Sequence, residues 1–358
     1  MLCALCVFTL PSLRYNEFVK KMKVKFDIFL IPLIAVAILF FLIFILSDAP
    51  LESLYYFFIG PFSNIHSFGN MLNAAIPLIL GGLGISVAMK AGHLNLGGEG
   101  QIYLGAFVTT AVCLSLSGLG VFGAFIAVIF GMSASGAMAA VSGVCKARWN
   151  TSELITSFLL SAAVIPIINY LVSGPFLDPE TSLISTKKIA ENMRLPLILK
   201  PSVLSAGIFI AAAAAVIVHF FITKTKPGYE FRMAGNNELF ARYGGINTKF
   251  NTVISIAISG GFYGLAGSIA VLGTHYAVIK EFSSGLGWNA LAVALIAGFY
   301  PIGVIPAAIF FAWINAGARI SMQNTGLTSE VALIVQAVIF LLSTSVLLRN
   351  FYKKGGKQ

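Results

Sequence analysis

Acidic residues are scarce in this chain of 358 residues, which has 13 aspartates and glutamates against 23 lysines and arginines. Only 10% of its residues are charged and its mean hydropathy is +0.91, which excludes an ordinary soluble globular protein. In a soluble domain the net charge of +10 would suggest nucleic acid. In an apolar chain it indicates the lysine and arginine excess of cytoplasmic loops, so we expect no nucleic-acid partner.

Cysteine and catalytic motifs are sparse as well. The chain has four cysteines, and its one CxxC, at Cys3 and Cys6, has no second pair to complete a zinc site. Cys113 and Cys145 fall in apolar runs, where cysteine acts as a small apolar residue. No GxxxxGK[ST] phosphate loop, HExxH or GxSxG motif occurs. The sequence therefore predicts no catalytic residue, no metal site and no cofactor of its own.

Apolar runs near twenty residues long, the length that crosses a bilayer as a helix, recur along the chain. They predict an all-α integral membrane protein with about ten transmembrane helices and one broken, glycine-rich segment. The predicted spans are 28–46, 70–89, 101–117, 119–143, 152–173, 202–222, 250–273, 287–299, 301–320 and 329–348.

The basic residues predict the orientation and the domains. Most lysines and arginines fall on the side of both termini, which we therefore expect in the cytoplasm. Residues 1–27 form the predicted cytoplasmic N-terminal segment, of which translation from Met22 would remove residues 1–21. Residues 28–348 form the predicted transmembrane domain, and 349–358 a basic cytoplasmic tail.

The segment AGHLNLGGEGQ, residues 91–101, separates two apolar runs with four glycines and several polar side chains. Irregular backbone at membrane depth is tolerated only beside protein or a water-filled cavity, and an ionisable residue there suggests function. The segment predicts either the lining of a substrate path or a short cytoplasmic turn, which the adjacent Lys90 favours. A second interrupted region near 284–306 follows at a spacing that fits two related halves. The substrate-path candidates are Asn95, Glu99, Gln101, Asn169, Trp288 and Asn289.

The long loop 223–250 is predicted to be cytoplasmic. Pro227 and Gly228 end the preceding helix, residues 230–243 form a helix, and the glycines 244–245 end that helix. Its mixture of charged and apolar side chains fits either a docking site for a partner protein or an amphipathic loop on lipid headgroups.

Several motifs carry a resemblance to a known family. AGHLNLGGEGQIYLGAF resembles the AGLFNIGGEGQ signature of ABC-importer permeases for branched-chain amino acids, ribose and nucleosides. KARWNTSELITSFLL (146–160), GYEFRMAGNNELFARYGGIN (228–247) and GLGWNALAVALIAGFYPIG (285–303) are similar to further family motifs in the same order. The likeness runs from residue 28 to the C-terminus and is greatest to the longer permease of the nucleoside systems. His93, Ser161, Trp288 and Asn289 depart from the family pattern.

The resemblance implies the fold and the partners. It implies a permease with ATP hydrolysed by separate ABC ATPase chains, substrate delivered by an extracytoplasmic binding lipoprotein, and a second, different permease chain. These would assemble in the lipid bilayer of a bacterial cytoplasmic membrane. The implied substrate is a nucleoside of purine type, with riboflavin or a simple sugar as alternatives. An ion-coupled secondary transporter is the alternative from another class, and it would use carboxylates within the helices, for which Glu99, Glu153 and Glu330 are the candidates.

The same resemblance places the ATPase contact in loop 223–250. The implied coupling residues are Gly228, Glu230, Arg232, Gly235, Asn236, Arg242 and Gly245.

We predict that Arg232→Glu or Gly235→Trp separates ATP hydrolysis from uptake and leaves membrane insertion intact, because both changes alter the surface that would receive the ATPase. Transport-coupled ATPase rates in liposomes test this. Rates unchanged by both substitutions would remove the coupling assignment.

Overall fold

The structure, a computed structural model, describes residues 49–325 except 284, together with 37, 40, 41, 43–45, 47, 334 and 337. The predicted N-terminal segment, the predicted tail and most of the spans 28–46 and 329–348 lie outside the described residues. The helices are α1 Pro50–Phe58, α2 Ile65–Lys90, α3 Gly98–Ser115, α4 Gly120–Trp149, α5 Glu153–Ser173, α6 Gly207–Lys224, α7 Lys226–Asn236, α8 Glu238–Tyr243, α9 Thr248–Ala270, α10 Leu286–Ile296 and α11 Val304–Thr325. A two-stranded antiparallel sheet pairs β1 Leu197–Leu199 with β2 Leu204–Ser205.

Six helical stretches of the described chain are long and apolar enough to cross a membrane: Ile65–Lys90, Ser117–Trp149, Glu153–Ser173, Gly207–Lys224, Thr248–His275 and Pro301–Thr325. Each coincides with a predicted span. The predicted spans 101–117 and 287–299 fall on α3 and α10, which are not among the six. The chain is thus mainly helical with multiple apolar spans, whereas the predicted count of ten is not confirmed.

The helices alternate in direction, so their termini collect at two ends of a bundle. One end, here called the basic end, holds Lys90, Lys146, Lys224 and Lys226 at helix termini and includes α7 and α8. The other, here called the opposite end, holds the β1–β2 pair and the start of α2. Helix α2 lies at the centre, since most of its apolar stretch is buried, whereas most of that of α5 is not.

Helix α9 packs closely on α3 and α4 through small residues. A Cβ atom on Gly264 would lie 2.7 Å from the Gly131 carbonyl oxygen of α4, and one on Gly105 of α3 would lie 2.5 Å from the Gly264 Cα. Lipid is as apolar as the helix surfaces, so helices in a membrane associate through such close van der Waals packing. The many glycines of α3, α4 and α9 therefore determine how near these helices lie.

Two helices begin inside the bundle. Residues 93–97, between α2 and α3, are not helical, and they run back along α9: His93 lies beside Thr252 and Asn95 beside Ser259. Gly98, where α3 begins, lies against the Tyr263 ring in the middle of α9. The second interrupted region enters the bundle from the other side. After α9 the chain turns back from the opposite end, and helix α10 begins inside the bundle next to Gly98.

The predicted helix over 230–243 is wrong in detail, because two helices, α7 and α8, occupy this stretch. Thr225 Oγ1 caps α7 by accepting from the Gly228 N–H, and Pro227 is tolerated in the first turn because its missing N–H would have no intrahelical partner there. Asn237 Oδ1 accepts from the Phe240 N–H and starts α8. The break therefore follows from an asparagine that caps a new helix.

We predict that Gly267→Ala lowers the free energy of unfolding by about 1–3 kcal/mol, the range for overpacking a tight contact. The added Cβ atom would lie 2.0 Å from the Ile102 carbonyl oxygen and would push α3 away from α9. Gly261→Ala on the same helix is the control, since its nearest neighbour outside α9 would be the Met132 carbonyl oxygen at 3.7 Å. Denaturation in detergent micelles measures both, and equal midpoints would contradict the packing argument.

Candidate functional site

The two interrupted segments meet at the Glu99 carboxylate. Glu99 lies in the first turn of α3, and its Oε1 accepts a hydrogen bond from the Gly287 N–H in the first turn of α10 at 3.1 Å. The backbone N–H groups of Gly285 and Trp288 also interact with this carboxylate. A helix N-terminus carries partial positive charge and unpaired N–H groups. One carboxylate thus stabilises the N-termini of two helices inside the bundle.

Glycine makes this junction possible. A Cβ atom on Gly287 would lie 2.5 Å from the Glu99 backbone nitrogen, and one on Gly98 would lie 2.7 Å from the Tyr263 ring. Gly285, which precedes α10, has a φ of +83°, in the left-handed region that glycine adopts without steric penalty. Side chains at these positions would separate the two helix N-termini.

Helix α5 satisfies the backbone of the first interrupted segment. The Leu96 N–H donates to Ser157 Oγ at 3.0 Å, and the Gly100 N–H donates to Ser161 Oγ at 2.7 Å. Buried N–H groups need such partners because water cannot reach them. Ser161, one of the departures from the family pattern, therefore caps α3 from a neighbouring helix.

Asn95 and Gln101 bind each other. Asn95 Nδ2 donates to Gln101 Oε1 at 2.8 Å, and Gln101 Nε2 donates to Asn95 Oδ1 at 3.1 Å. Their exposed fractions are 1% and 0%. The Gly97 N–H also donates to Asn95 Oδ1 at 3.0 Å. In this conformation both amides brace the interrupted segment, and their place on a substrate path stays a prediction.

The other path candidates separate into two places. Trp288 is 43% exposed, and its ring lies 6.4 Å from that of Phe158 on α5. The half-buried Asn289 follows it in α10. Asn169 lies nearer the opposite end, where its Oδ1 accepts from Tyr103 Oη at 2.8 Å and its Nδ2 donates to Glu281 at 3.1 Å.

The void beside the Glu99 carboxylate is almost closed. It has a volume of about 10 Å³ and is lined by Asn95, Leu96, Glu99, Tyr263, Gly287, Trp288 and Leu291. A single water molecule needs roughly 10–15 Å³. The site is therefore shut in this conformation, and a solute could enter only after α3 and α10 move apart.

Sequence reasoning missed a larger cavity of about 500 Å³ between α2, α9 and α11 towards the opposite end. Its polar lining includes Asn70, Asn73, Thr274 and Arg319. Asn70 and Asn73 both lie on α2, but Thr274 and Arg319 come from distant parts of the chain, and no local motif joins them. The one local signal was Arg319, a charge within an apolar run.

One coupling candidate, Gly235, contacts the start of the interrupted segment, and two others hold α7 against neighbouring helices. A Cβ atom on Gly235 of α7 would lie 2.3 Å from the Lys90 carbonyl oxygen and 2.8 Å from the Gly92 nitrogen. Arg232 Nη1 donates to the Ile222 carbonyl oxygen at the end of α6. Glu230 Oε2 accepts from Asn251 Nδ2 at 3.4 Å. Helix α7 is thereby held against the turn where the chain leaves α2.

Of the remaining coupling candidates, Gly228 is buried, whereas Asn236, Arg242 and Gly245 lie on the outer surface of the loop. Gly228 packs on the end of α6, Asn236 is exposed, and Gly245 has a φ of +79° with open space around it. Arg242 pairs with Glu238 at 2.9 Å on the surface of α8. The most exposed apolar side chains of α8 are Leu239 at 65%, Phe240 at 61% and Tyr243 at 91%.

His93 joins the helices at the basic end. Its Nε2 lies 2.9 Å from Thr252 Oγ1, and its Nδ1 lies 3.4 Å from Glu153 Oε1. Lys146 Nζ lies 3.4 Å from the other oxygen of Glu153. His93, which departs from the family pattern, thus links the interrupted segment to α5 and α9 and, through Glu153, to α4.

Comparison with known proteins gives the family. Residues 67–344 match the family described as branched-chain amino acid transport system / permease component. The chain belongs to this family. The resemblance of the glycine-rich motifs to this family is therefore confirmed. In this protein, those motifs form the junction around Glu99.

Several relatives align with most of this chain. It is 35% identical over 311 residues to the "Probable riboflavin import permease protein" of Treponema pallidum (strain Nichols), covering 87% of this chain and 82% of that protein. It is 34% identical to the guanosine ABC transporter permease protein of Bacillus subtilis (strain 168), covering 80% and 83%. It is 29% identical to a nucleoside ABC transporter permease protein of Lactococcus lactis subsp. cremoris (strain MG1363), covering 91% and 93%. No solved structure matches the chain.

We predict that Glu99→Ala lowers the free energy of unfolding by about 1–2 kcal/mol, because the N-terminus of α10 loses its acceptor and the partial positive charge at the start of α3 loses a neighbouring carboxylate. Glu99→Gln should lose less, since its amide oxygen still accepts from the Gly287 N–H. Denaturation in micelles measures the difference. Glu180→Ala in an exposed loop is the control, and an Ala variant as stable as this control would contradict the junction's role.

Proposed function

We propose that this chain, an ABC importer permease by family, carries nucleosides of the purine type across a bacterial cytoplasmic membrane. The observation that carries the proposal is the contact of α7 with the interrupted segment at Gly235 and Gly92. A surface loop that contacts the turn at Gly92, just before the interrupted segment that leads to Glu99, can pass a movement to the Glu99 junction. Relatives named for guanosine and nucleosides support the substrate.

The basic end is the cytoplasmic end in this proposal. Its lysines follow the bias of cytoplasmic loops, and it carries α7 and α8. We infer that both termini lie on this side and that the opposite end faces the binding lipoprotein. ATP is bound by separate ATPase chains, and the permease itself holds no cofactor. A second, different permease chain completes the path.

The mechanism follows from the contacts. ATPase movement displaces α7, α7 displaces the turn at Gly92, and the 93–97 segment shifts α3 relative to α10. The closed void beside Glu99 then opens. Such alternation requires that ATP and substrate stabilise two conformations to different degrees. Because packed helices rearrange between discrete arrangements, a small displacement at α7 is sufficient to switch the junction.

Riboflavin is the second candidate substrate, favoured by the 35% identity to the Treponema pallidum relative. A glucose permease relative from Haloferax volcanii, 28% identical, supports a sugar. An ion-coupled mechanism would use carboxylates facing a path, but Glu99 binds backbone N–H groups and Glu153 pairs with Lys146.

The deciding experiment is uptake by the complete complex, with ATPase, both permeases and binding lipoprotein, in proteoliposomes. We expect ATP-dependent accumulation of labelled guanosine in excess of riboflavin and glucose. Accumulation of riboflavin alone, or of glucose alone, would show that this solute and not a nucleoside is the substrate. Uptake that persists with a hydrolysis-deficient ATPase would overturn the transporter class.

We predict that Leu239→Asp combined with Tyr243→Asp abolishes ATP-dependent uptake and weakens ATPase co-purification at least about tenfold. Charged groups would then replace exposed apolar side chains on the surface that we propose contacts the ATPase, and burying an unpaired charge is unfavourable. Arg148→Ala, exposed at the same end, is the control. Full uptake by the double variant would exclude α8 from coupling.

A further inference from the structure

The cavity of about 500 Å³ lies between α2, α9 and α11. Ligand pockets for small molecules span about 300–1,000 Å³, so its size suits a nucleoside or a flavin. Its rim residues His66, His275, Arg319 and Gln323 are exposed. The cavity therefore reaches the surface at the opposite end and has room for a solute, whereas the void beside Glu99, of about 10 Å³, has none.

The lining favours a ligand rich in hydrogen-bond acceptors. No aspartate or glutamate occurs among the described lining residues, while Arg319 contributes a positive charge. No hydrogen bond or ion pair joins Arg319 to another residue in the described part of the chain. A guanidinium offers donors in a planar fork that fits two neighbouring acceptor atoms.

The neighbouring polar groups are already used to shape the cavity. Asn73 Nδ2 donates to Thr274 Oγ1 at 2.8 Å, and its Oδ1 accepts from the Ser205 N–H at 3.3 Å. Asn70 Oδ1 accepts from the Val203 N–H at 3.0 Å. These bonds fix α2 to the turn that follows α9 and to the β1–β2 pair. Arg319 is thus the charged hydrogen-bond donor in the lining that is available to a ligand, while the neighbouring polar residues hold the cavity wall in place.

The apolar lining suits a flat ring. Met71, Pro77, Ile269 and Phe282 contribute to it. Planar heterocycles bury their faces against such side chains and present acceptors at their edges, as guanine does with O6 and N7. The C–H face of a sugar is smaller, is not planar and is bordered by hydroxyl groups.

The cavity also adjoins the closed junction. Leu286, the first residue of α10, lines the cavity, while the next residue, Gly287, donates to Glu99. The N-terminus of α10 therefore separates the open cavity from the closed void. A solute in the cavity would rest against the helix whose displacement opens the junction.

We propose that this cavity receives the substrate before translocation, and that Arg319 binds two adjacent acceptor atoms on the edge of a planar heterocycle. This inference rests on the proposed function. It places a recognition site within a single permease chain and assigns the charged residue that selects the ring.

The test compares Arg319→Gln and Arg319→Lys in the complete complex in proteoliposomes. Guanosine, or riboflavin if the wild-type complex takes up only that, is the probe. We expect KM to rise about tenfold in both variants, the scale of one bidentate pair, with basal ATPase activity and denaturation midpoint unchanged. Lys188→Gln, an exposed cation of a loop at the same end, should leave KM unchanged.

An analogue isolates the paired contact. With guanosine as substrate, 7-deazaguanosine lacks the N7 acceptor and should be a poorer substrate for the wild type, whereas Arg319→Lys should scarcely distinguish the two compounds. An unchanged KM in Arg319→Gln overturns the inference, and full affinity in Arg319→Lys overturns the paired geometry. Uptake of glucose alone overturns the heterocycle as ligand. A wild-type complex that takes up none of the three solutes overturns the proposed function itself.

Discussion

The junction of two helix N-termini at one half-buried carboxylate is the constraint on which the rest of the structure depends. Inside an apolar bundle, a helix that begins far from water leaves N–H groups without partners. Glu99 accepts for α10, while Ser161 accepts for α3. If either acceptor were absent, the interrupted segments would leave unsatisfied backbone in an environment where each such group is costly.

The same constraint explains why the surface loop can act on the interior. An extended segment has few internal hydrogen bonds, so its position depends on the side chains around it. Segment 93–97 is held by Ser157, by the Asn95–Gln101 pair and, at its start, by Gly235 of α7. A displaced α7 would therefore alter one of the few supports of this segment, and a regular helix in its place would resist such a change.

The polar side chains of the bundle have two different roles. Asn95 and Gln101 satisfy each other within the bundle, and His93 ties the segment to Glu153 and Thr252. Arg319 faces a cavity instead. The two roles differ in the hydrogen-bond partner. A polar side chain that is hydrogen-bonded to another side chain stabilises the fold. A polar side chain that faces a cavity and has no partner among the described residues can bind a solute.

Composition and motif order alone determined the membrane class, six of the spans, the family and the two interrupted regions, because hydropathy and glycine patterns are local properties of a chain. The split between α7 and α8 was missed, although Asn237 is a recognisable N-cap. Sequence also singled out Glu99 and the α7–α8 loop. Only the tertiary structure decided that Asn95 pairs with Gln101, that Glu99 caps a helix nearly 200 residues further along, and that Arg319 lines a cavity, because each of these depends on contacts between distant segments.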